Sequence, residues 1–262
     1  SFVPKLRWYD EPSARNVARQ ETPMNTEQSL GGQVALVTGA SRGIGLAIAR
    51  RLGRMGARVA ICARNAKTLE RAARDLRQEA IEALDVPADV ARAAEVAELV
   101  RRTRESLGPT DILVNNAGVG VFSPIDELRE ADWDAVINTN MKAAFLVSKA
   151  VAPEMIRRHT GHIINISSLA GKNFFPGGGA YCASKWGLLG LTYCMGEDLR
   201  AHGIRVSAIC PGTVHTEFSP HAGKDPMKML QPEDVAHAVA MLVTQSPQSF
   251  ISEVLLRPTQ KP

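Results

Sequence analysis

The sequence contains little cysteine, and its four cysteines follow no ligand pattern. Cys62, Cys182, Cys194 and Cys210 lack the CxxC spacing of zinc sites and redox pairs, so no metal centre is predicted. Free thiols are typical of proteins in reducing compartments. We therefore expect a cytoplasmic protein with unpaired cysteines.

Long apolar segments are also missing. No uninterrupted apolar run approaches the roughly 18 residues that span a bilayer, and the first residues form no apolar stretch suited to a secretory signal. We expect no association with a membrane.

The sequence has no tract of like charge. Its 31 Lys and Arg residues are dispersed among 27 Asp and Glu residues, and the formal net charge is +4. Proteins that bind nucleic acid gather basic residues into a patch or stripe, so nucleic acid is not an expected partner. A mildly basic surface suits small anionic ligands, such as a phosphorylated cofactor, equally well.

The first 31 residues differ from the rest of the chain. Residues 1–31 are rich in Pro, Arg, Gln, Thr and Asn and show no apolar periodicity. We interpret them as an N-terminal tail outside the fold. Residues 32–262 are within the size range of a single α/β domain, and the 45% of apolar residues supports one sizeable core.

From residue 34 onward, short β-branched runs alternate with helix-like segments. Strands are predicted at 34–38, 58–62, 81–86, 112–114, 162–166, 205–209 and 253–256, and helices at 43–55, 66–79, 91–107, 130–158 and 181–202. Strands that are apolar throughout indicate a parallel sheet covered on both faces. The prediction is therefore an α/β fold with one doubly wound, Rossmann-type domain, in which helices cover both faces of a mostly parallel seven-stranded sheet.

A glycine-rich segment follows the first predicted strand directly. Residues 38–45 read TGASRGIG and place Gly39, Gly43 and Gly45 at the start of a helix. Glycine allows a tight turn and a close approach to a pyrophosphate, whose charge a helix N-terminus stabilises. The spacing differs from the GxGxxG fingerprint, and a glycine-rich turn without a ligand stays open as an alternative.

The end of the second predicted strand carries an arginine where NAD-binding folds place an acid. Arg64, together with Arg42 inside the glycine loop, offers guanidinium groups suited to the 2′-phosphate of NADP. These residues favour NADP(H) over NAD(H). The alternative is that both arginines are solvated surface charges.

Three motifs in this order identify a family. TGASRGIG at 38–45 is followed by NNAG at 115–118 and by YCASK at 181–185. The chain resembles the short-chain dehydrogenase/reductase family from about Gly32 to its end. The resemblance implies an enzyme that transfers a hydride between a nicotinamide and a carbonyl or secondary alcohol.

The resemblance also implies a set of cofactor-binding residues. Asp89 would contact the adenine beside Val90, whereas Asp85 is an alternative four residues earlier that the family interval to Asp111 disfavours. The segment at 211–216 would hold the nicotinamide amide, with Thr213 as a lesser candidate. The full implied set is Gly39, Ser41, Arg42, Gly43, Ile44, Gly45, Arg64, Asp89, Val90, Asn116, Ala117, Gly118, Tyr181, Lys185, Pro211, Gly212, Val214 and Thr216.

Four positions match the catalytic set of the family, namely Asn140, Ser168, Tyr181 and Lys185. Ser167 competes with Ser168, and the family interval of 13 residues between serine and tyrosine selects Ser168. Asn140 is expected to bind a water that links Lys185 to solvent.

The chemistry of a ketone reduction explains these residue types. Tyrosine is a weak acid with an ordinary pKa of about 10, and Lys185, four residues after Tyr181, is expected on the same helical face. Its ammonium group would lower the pKa of the phenol. Ser168 would hold the substrate oxygen while negative charge develops there.

The substrate is not identified by the sequence. The match is closest in style to 3-oxoacyl-thioester reductases, but the ending at 255–260 departs from them and is more similar to small 3-hydroxy acid dehydrogenases or sepiapterin-type ketone reductases. A substrate lid is expected at about 213–229. A non-catalytic NADPH sensor is a further alternative, although such proteins commonly lose the tyrosine or lysine. Apolar stripes on 130–158 and 181–202 predict a homodimer or homotetramer.

Overall fold

The computed structural model describes residues 30–218, 225–246 and 248–261. The strands are β1 (Val34–Thr38), β2 (Arg58–Ala63), β3 (Ala83–Pro87), β4 (Ile112–Asn115), β5 (Gly161–Ile166), β6 (Ile204–Pro211) and β7 (Glu253–Leu256). The helices are α1 (Gly43–Arg54), α2 (Ala66–Gln78), α3 (Ala93–Ser106), α4 (Glu130–Ile137), α5 (Ala143–Arg158), α6 (Gly179–Arg200) and α7 (Pro232–Val243). The doubly wound fold is confirmed.

The seven strands form one sheet in the order β3-β2-β1-β4-β5-β6-β7. All the strand pairs in it are parallel, so the sheet is wholly rather than mostly parallel. From β1 the chain adds β2 and β3 on one side, and it then crosses to the other side of β1 to add β4 to β7, so the strand order reverses between β1 and β4. In such sheets, a crevice for ligands opens beyond the carboxyl ends of the strands at this point.

Both faces of the sheet are buried, because successive side chains of a strand point to opposite sides. In β1, Ala35 and Val37 pack into an apolar core that includes residues of α1, α2 and α7. Val34 and Leu36 pack into a second core that includes residues of α3, α5 and α6. This two-sided burial explains why the strands are apolar throughout.

Four differences from the predicted elements are local. The predicted helix at 130–158 consists of α4, a π-helical turn at Asn138–Lys142 and α5. Helix α7 was not predicted, although Pro232 followed by Glu233 and Asp234 is a good helix start. Strand β3 begins and ends later than the predicted 81–86. Leu30, placed in the predicted tail, is buried and its amide donates to the Met55 carbonyl.

A chain of buried hydrogen bonds connects the centre of the sheet to the helices on one face. The Asn115 amide on β4 donates to the Asn165 side chain on β5 (2.8 Å) and to the Ser148 hydroxyl on α5 (3.0 Å). The Asn165 amide in turn donates to the Thr192 hydroxyl on α6 (2.8 Å). Because these side chains are buried, each depends on the others for its polar partners.

Replacing Asn165 should therefore destabilise the fold. Asn165→Leu removes one of the two acceptors of the Asn115 amide and the amide that donates to Thr192, which should lower the free energy of unfolding by about 1–3 kcal/mol. Urea denaturation measures this change through the midpoint at an unchanged slope. Ser246→Ala, at an exposed loop position, is the control. Equal stability of both variants would contradict a structural role for this chain of bonds.

Candidate active site

A cavity of about 1290 Å³ lies beyond the carboxyl ends of the strands. Ser168 and the whole predicted cofactor set apart from Gly45 line it, although they come from segments far apart in the sequence. Those residues are Gly39, Ser41, Arg42, Gly43, Ile44, Arg64, Asp89, Val90, Asn116, Ala117, Gly118, Ser168, Tyr181, Lys185, Pro211, Gly212, Val214 and Thr216. Gly45 and Asn140 are not among the lining residues.

The glycine loop packs so closely that side chains would not fit. Gly39 has a φ of +64°, and a Cβ atom there would lie 2.7 Å from the Cα of Ala117. A Cβ atom on Gly45 would lie 2.5 Å from Nδ2 of Asn116, so Gly45 allows close packing rather than lining the cavity. The Asn116 amide donates to the carbonyls of Thr38 and Gly39 and thus fixes the loop.

The first turn of α1 is suited to an anion. The helix begins at Gly43, directly after Arg42, whose side chain does not cap it, and no acidic residue lies in the first turn. The leading amides of a helix have no intrahelical partners and carry partial positive charge. Together with the close-packed glycines, they fit the pyrophosphate of a dinucleotide.

The cavity is also lined by the residues expected near the adenosine, which follow β2 and β3. Arg64 is exposed there, and Asp89 accepts a hydrogen bond from the Ala91 amide (3.1 Å). Asp85, the alternative to Asp89, instead pairs with Arg77 on α2 (2.6 Å) and does not line the cavity. Its ion pair explains its presence in β3.

Sequence reasoning missed two polar residues next to Arg64. Asn65 caps α2 by accepting from the Thr68 amide, and both residues line the cavity. The signal was present, because Asn directly before a predicted helix is a typical N-cap residue. These side chains add hydrogen-bonding groups beside the Arg64 guanidinium.

Arg42 is not an isolated cation. Its guanidinium forms an ion pair with the carboxylate of Glu217, which joins the glycine loop to the segment that follows Thr216. Both side chains are largely exposed to solvent. An anion that binds Arg42 must therefore compete with Glu217.

Residues 219–224 of the predicted lid lie outside the described residues.

Lys185 is a buried cation that lines the cavity close to Tyr181. Its side chain is 4% exposed, and Nζ donates to the Ile166 carbonyl at 2.9 Å. Removal from water lowers the pKa of this ammonium from 10.5 to about 8, which the thiol of Cys210 partly opposes. Nζ lies 5.8 Å from the centre of the Tyr181 ring, so the expected shared face is present.

Tyr181 differs from the prediction in one respect. Burial raises the pKa of its phenol to about 12, although a hydrogen bond with Ser168 acts in the opposite direction. Burial disfavours the phenolate, and the lowering contribution to the Tyr181 pKa comes from Ser168 rather than, as was expected, from Lys185. The contact with Ser168 brings together the two hydroxyls that the sequence paired.

The two neighbouring serines have different surroundings. Ser168 accepts from the Ala170 amide (3.0 Å) and contacts Tyr181. Ser167 is buried and donates to the Lys185 backbone carbonyl (3.2 Å), so its hydroxyl supports the backbone of α6. The geometry thus favours Ser168 for contact with a substrate.

Asn140 lies in the π-helical turn and is fully engaged with its neighbours. Its Oδ1 accepts from the Val119 amide (2.8 Å), while its Nδ2 donates to the Val119 carbonyl and the Ser184 hydroxyl (both 2.9 Å). The side chain therefore fixes the loop after β4 against α6. The water between Asn140 and Lys185 stays a prediction.

Comparisons with known proteins show the family to which the chain belongs. A sequence model of the short chain dehydrogenase family matches residues 33–226. The chain is 35% identical to a 3-oxoacyl-[acyl-carrier-protein] reductase of Synechocystis over 86% of this chain and 94% of that protein. It belongs to the short-chain dehydrogenase/reductase family, and is thus an oxidoreductase.

Two solved structures with bound cofactor are also similar. A metagenomic short-chain oxidoreductase in complex with NADP is 47% identical, with a TM-score of 0.80 over 89% of this chain and 100% of that one. An actinorhodin polyketide ketoreductase with NADPH is 37% identical, with a TM-score of 0.80 over 86% and 95% of the two chains.

The helices of the described ranges do not have the character of a membrane span. None of them is both long enough and apolar enough to cross a bilayer.

The buried ammonium of Lys185 should reduce the stability of the cofactor-free protein. Because its pKa is lowered on folding, the unfolded chain holds the proton more tightly, and the penalty applies below about pH 8 and fades towards 10.5. Lys185→Met should thus raise the free energy of unfolding at pH 7 by on the order of 1–3 kcal/mol. The gain should shrink as the pH rises to 10.

Lys172 provides the matched control for this measurement. It is ion-paired with Glu253 (2.9 Å), and its pKa is raised, first by its hydrogen bonds to Tyr193 and Glu253. Lys172→Met should therefore lower the stability at pH 7, which is the opposite sign. Thermal unfolding at several pH values compares the two variants. A Lys185→Met protein that is less stable at pH 7 would contradict the electrostatic account.

Proposed function

We propose that the protein is an NADP(H)-dependent oxidoreductase that interconverts a carbonyl and a secondary alcohol. The observation that carries the proposal is the contact between the Tyr181 and Ser168 hydroxyls, with the buried Lys185 ammonium beneath them. This arrangement provides hydrogen bonds for a carbonyl oxygen and a proton to deliver to it.

The residues around the cavity fit NADP(H). The glycine loop and the first turn of α1 would hold the pyrophosphate, and Asp89 and Val90 would face the adenine. Arg42 and Arg64 would bind the 2′-phosphate, assisted by Asn65 and Thr68. The NADP and NADPH in the similar structures support this choice over NAD(H). Bound NADP(H) would supply or accept the hydride.

The remaining chemistry belongs to the side chains. Ser168 and Tyr181 would orient the substrate carbonyl, and Tyr181 would give its hydroxyl proton to the oxygen as negative charge develops there. Lys185 would stabilise the resulting phenolate through its positive charge. Asn140 would hold the loop of Val119 and, through a water, connect Lys185 to solvent.

Two substrate classes follow from the similar proteins and the sequence. Reduction of a 3-oxoacyl thioester is supported by the similarity to the Synechocystis reductase. Small 3-hydroxy acids or sepiapterin-type ketones are the alternative suggested by residues 255–260. The non-catalytic NADPH sensor is disfavoured, because Tyr181 and Lys185 are both present and contact each other.

Removing the phenol hydroxyl tests the catalytic assignment. Tyr181→Phe should abolish turnover, because phenylalanine has no hydroxyl proton to give to the carbonyl oxygen, while leaving NADPH affinity nearly intact. Stopped-flow turnover and fluorescence titration with NADPH separate the two effects. Undiminished turnover of the variant would refute the role of Tyr181.

The arginines determine the cofactor preference. Arg42→Ala with Arg64→Ala should raise the Kd for NADPH about 10- to 100-fold, because charge-assisted hydrogen bonds to the phosphate are lost, and should leave the Kd for NADH unchanged. Glu217→Gln should tighten NADPH binding by a few fold, since it removes the competing carboxylate. Arg74→Ala on α2, where Arg74 pairs with Glu70, is the control. Equal weakening of both cofactors would contradict the assignment.

We further propose a homodimer or homotetramer. Large apolar side chains on one group of helices are partly exposed, namely Trp133, Phe145, Trp186 and Tyr193 on α4, α5 and α6. Contact with a second subunit would remove them from water.

The assembly is tested by light scattering. Phe145→Glu combined with Trp186→Glu should shift the mass to that of a monomer, because buried unpaired charge opposes association. Phe174→Glu, at a side chain that is 90% exposed outside these helices, should leave the mass unchanged. A monomeric mass of the unaltered protein at micromolar concentration would refute the proposal.

A further inference from the structure

Two phenylalanine rings lie beside the Tyr181 ring, and a third packs on one of them. The ring of Phe122 meets the Tyr181 ring edge-on at 5.5 Å between centres, and the Phe218 ring lies 5.8 Å from it. Phe175 extends the wall through Phe122 at 5.9 Å. The three rings come from separate segments, after β4, after β5 and after β6.

The backbone holds this aromatic wall in place. A Cβ atom on Gly120 would lie 2.9 Å from Phe122 and 3.1 Å from Phe218, and one on Gly178 would lie 2.7 Å from Phe175. Glycine at these positions thus lets the rings pack directly on the chain. In addition, the Ser123 amide donates to the Gly177 carbonyl (2.9 Å), which ties the loops of Phe122 and Phe175 together.

The wall is apolar and still accessible. Phe122, Phe175 and Phe218 are 41%, 42% and 42% exposed, and all three line the cavity beside Tyr181. Binding of an apolar ligand to half-exposed rings in a concave site is favourable, because it displaces water from their apolar surface. Their tilted and edge-on arrangement also suits a further aromatic ring.

Cations that could hold a substrate carboxylate are already engaged or distant. In the described part of the cavity, Arg42 pairs with Glu217, and Arg64 lies at the end of β2. Lys185 is buried and donates to the Ile166 carbonyl. His215 is likewise engaged with other residues of the protein. A carboxylate placed against the three rings would lose water without gaining a counter-charge from the described residues around them.

We infer that the substrate is an uncharged ketone, or the corresponding alcohol, with an aryl group next to the reacting carbon. This inference rests on the proposed function and narrows it. The aryl group packs against Phe122, Phe175 and Phe218 while its carbonyl oxygen faces Ser168 and Tyr181. Small 3-hydroxy acids, whose carboxylate lies close to the reacting carbon, are disfavoured.

Three ketones of similar size test the two parts of the inference. They are 4-methylacetophenone, its charged counterpart 4-acetylbenzoate, and cyclohexyl methyl ketone, each assayed with NADPH by absorbance beside a 3-oxoacyl thioester. We expect kcat/KM for 4-methylacetophenone to exceed that for 4-acetylbenzoate by about tenfold or more. It should also exceed that for the cyclohexyl ketone.

Variants of the wall assign the preference to its residues. Phe122→Leu and Phe218→Leu each keep an apolar side chain and should reduce the ratio of aryl to cyclohexyl turnover by about two- to tenfold. Phe174→Leu is the matched control, because Phe174 is adjacent to Phe175 but is 90% exposed and does not line the cavity. It should leave the ratio unchanged.

The outcomes separate this inference from the proposed function. Equal turnover of 4-acetylbenzoate and 4-methylacetophenone, or an unchanged ratio in both wall variants, would overturn the inference alone. Turnover of the thioester without any turnover of the aryl ketone would do the same. Absence of NADPH oxidation with all of these carbonyls would overturn the proposed function itself.

Discussion

The hydrogen bond from the Lys185 ammonium to the Ile166 carbonyl is the contact on which the arrangement of Ser168 and Tyr181 depends. It joins α6, which carries Tyr181, to the end of β5, which leads into Ser167 and Ser168. The second bond between these segments, from the Ser167 hydroxyl to the Lys185 carbonyl, reinforces the same junction. The relative position of the Ser168 and Tyr181 hydroxyls is thus set by two buried bonds from side chains to backbone carbonyls and not by exposed side chains.

Burial at this junction has opposite effects on two titratable groups. It lowers the pKa of Lys185 to about 8 and raises that of Tyr181 to about 12, since each charged form loses hydration. The resting site therefore holds a neutral phenol near a lysine that gives up its proton more readily than usual. A neutral phenol is the form that can donate a proton to the oxygen of a ketone. The Ser168 hydroxyl contacts Tyr181 and is placed to donate a hydrogen bond to the same ketone oxygen.

Much of the fold was predictable because its signals are local. Apolar runs predicted the parallel sheet, and Gly39 and Gly43 predicted a tight turn, in which both residues have positive φ. The π-helical turn that contains Asn140 was not predictable, since it depends on contacts with Val119, distant in sequence. Packing between remote segments likewise produces the ion pair of Arg42 with Glu217. It also produces the burial that raises the pKa of Tyr181.

Transfer of isotope from the cofactor to the substrate tests the central claim most directly. The NADPH carries deuterium at C4 of the nicotinamide, in the position of the hydrogen that is transferred as hydride. Reduction of 4-methylacetophenone should then yield an alcohol with one deuterium on the carbinol carbon. The proton on the alcohol oxygen should come from exchangeable sites. Mass spectrometry and NMR of the product show the position of the label. An alcohol without deuterium from either C4-labelled form of NADPH would contradict the account.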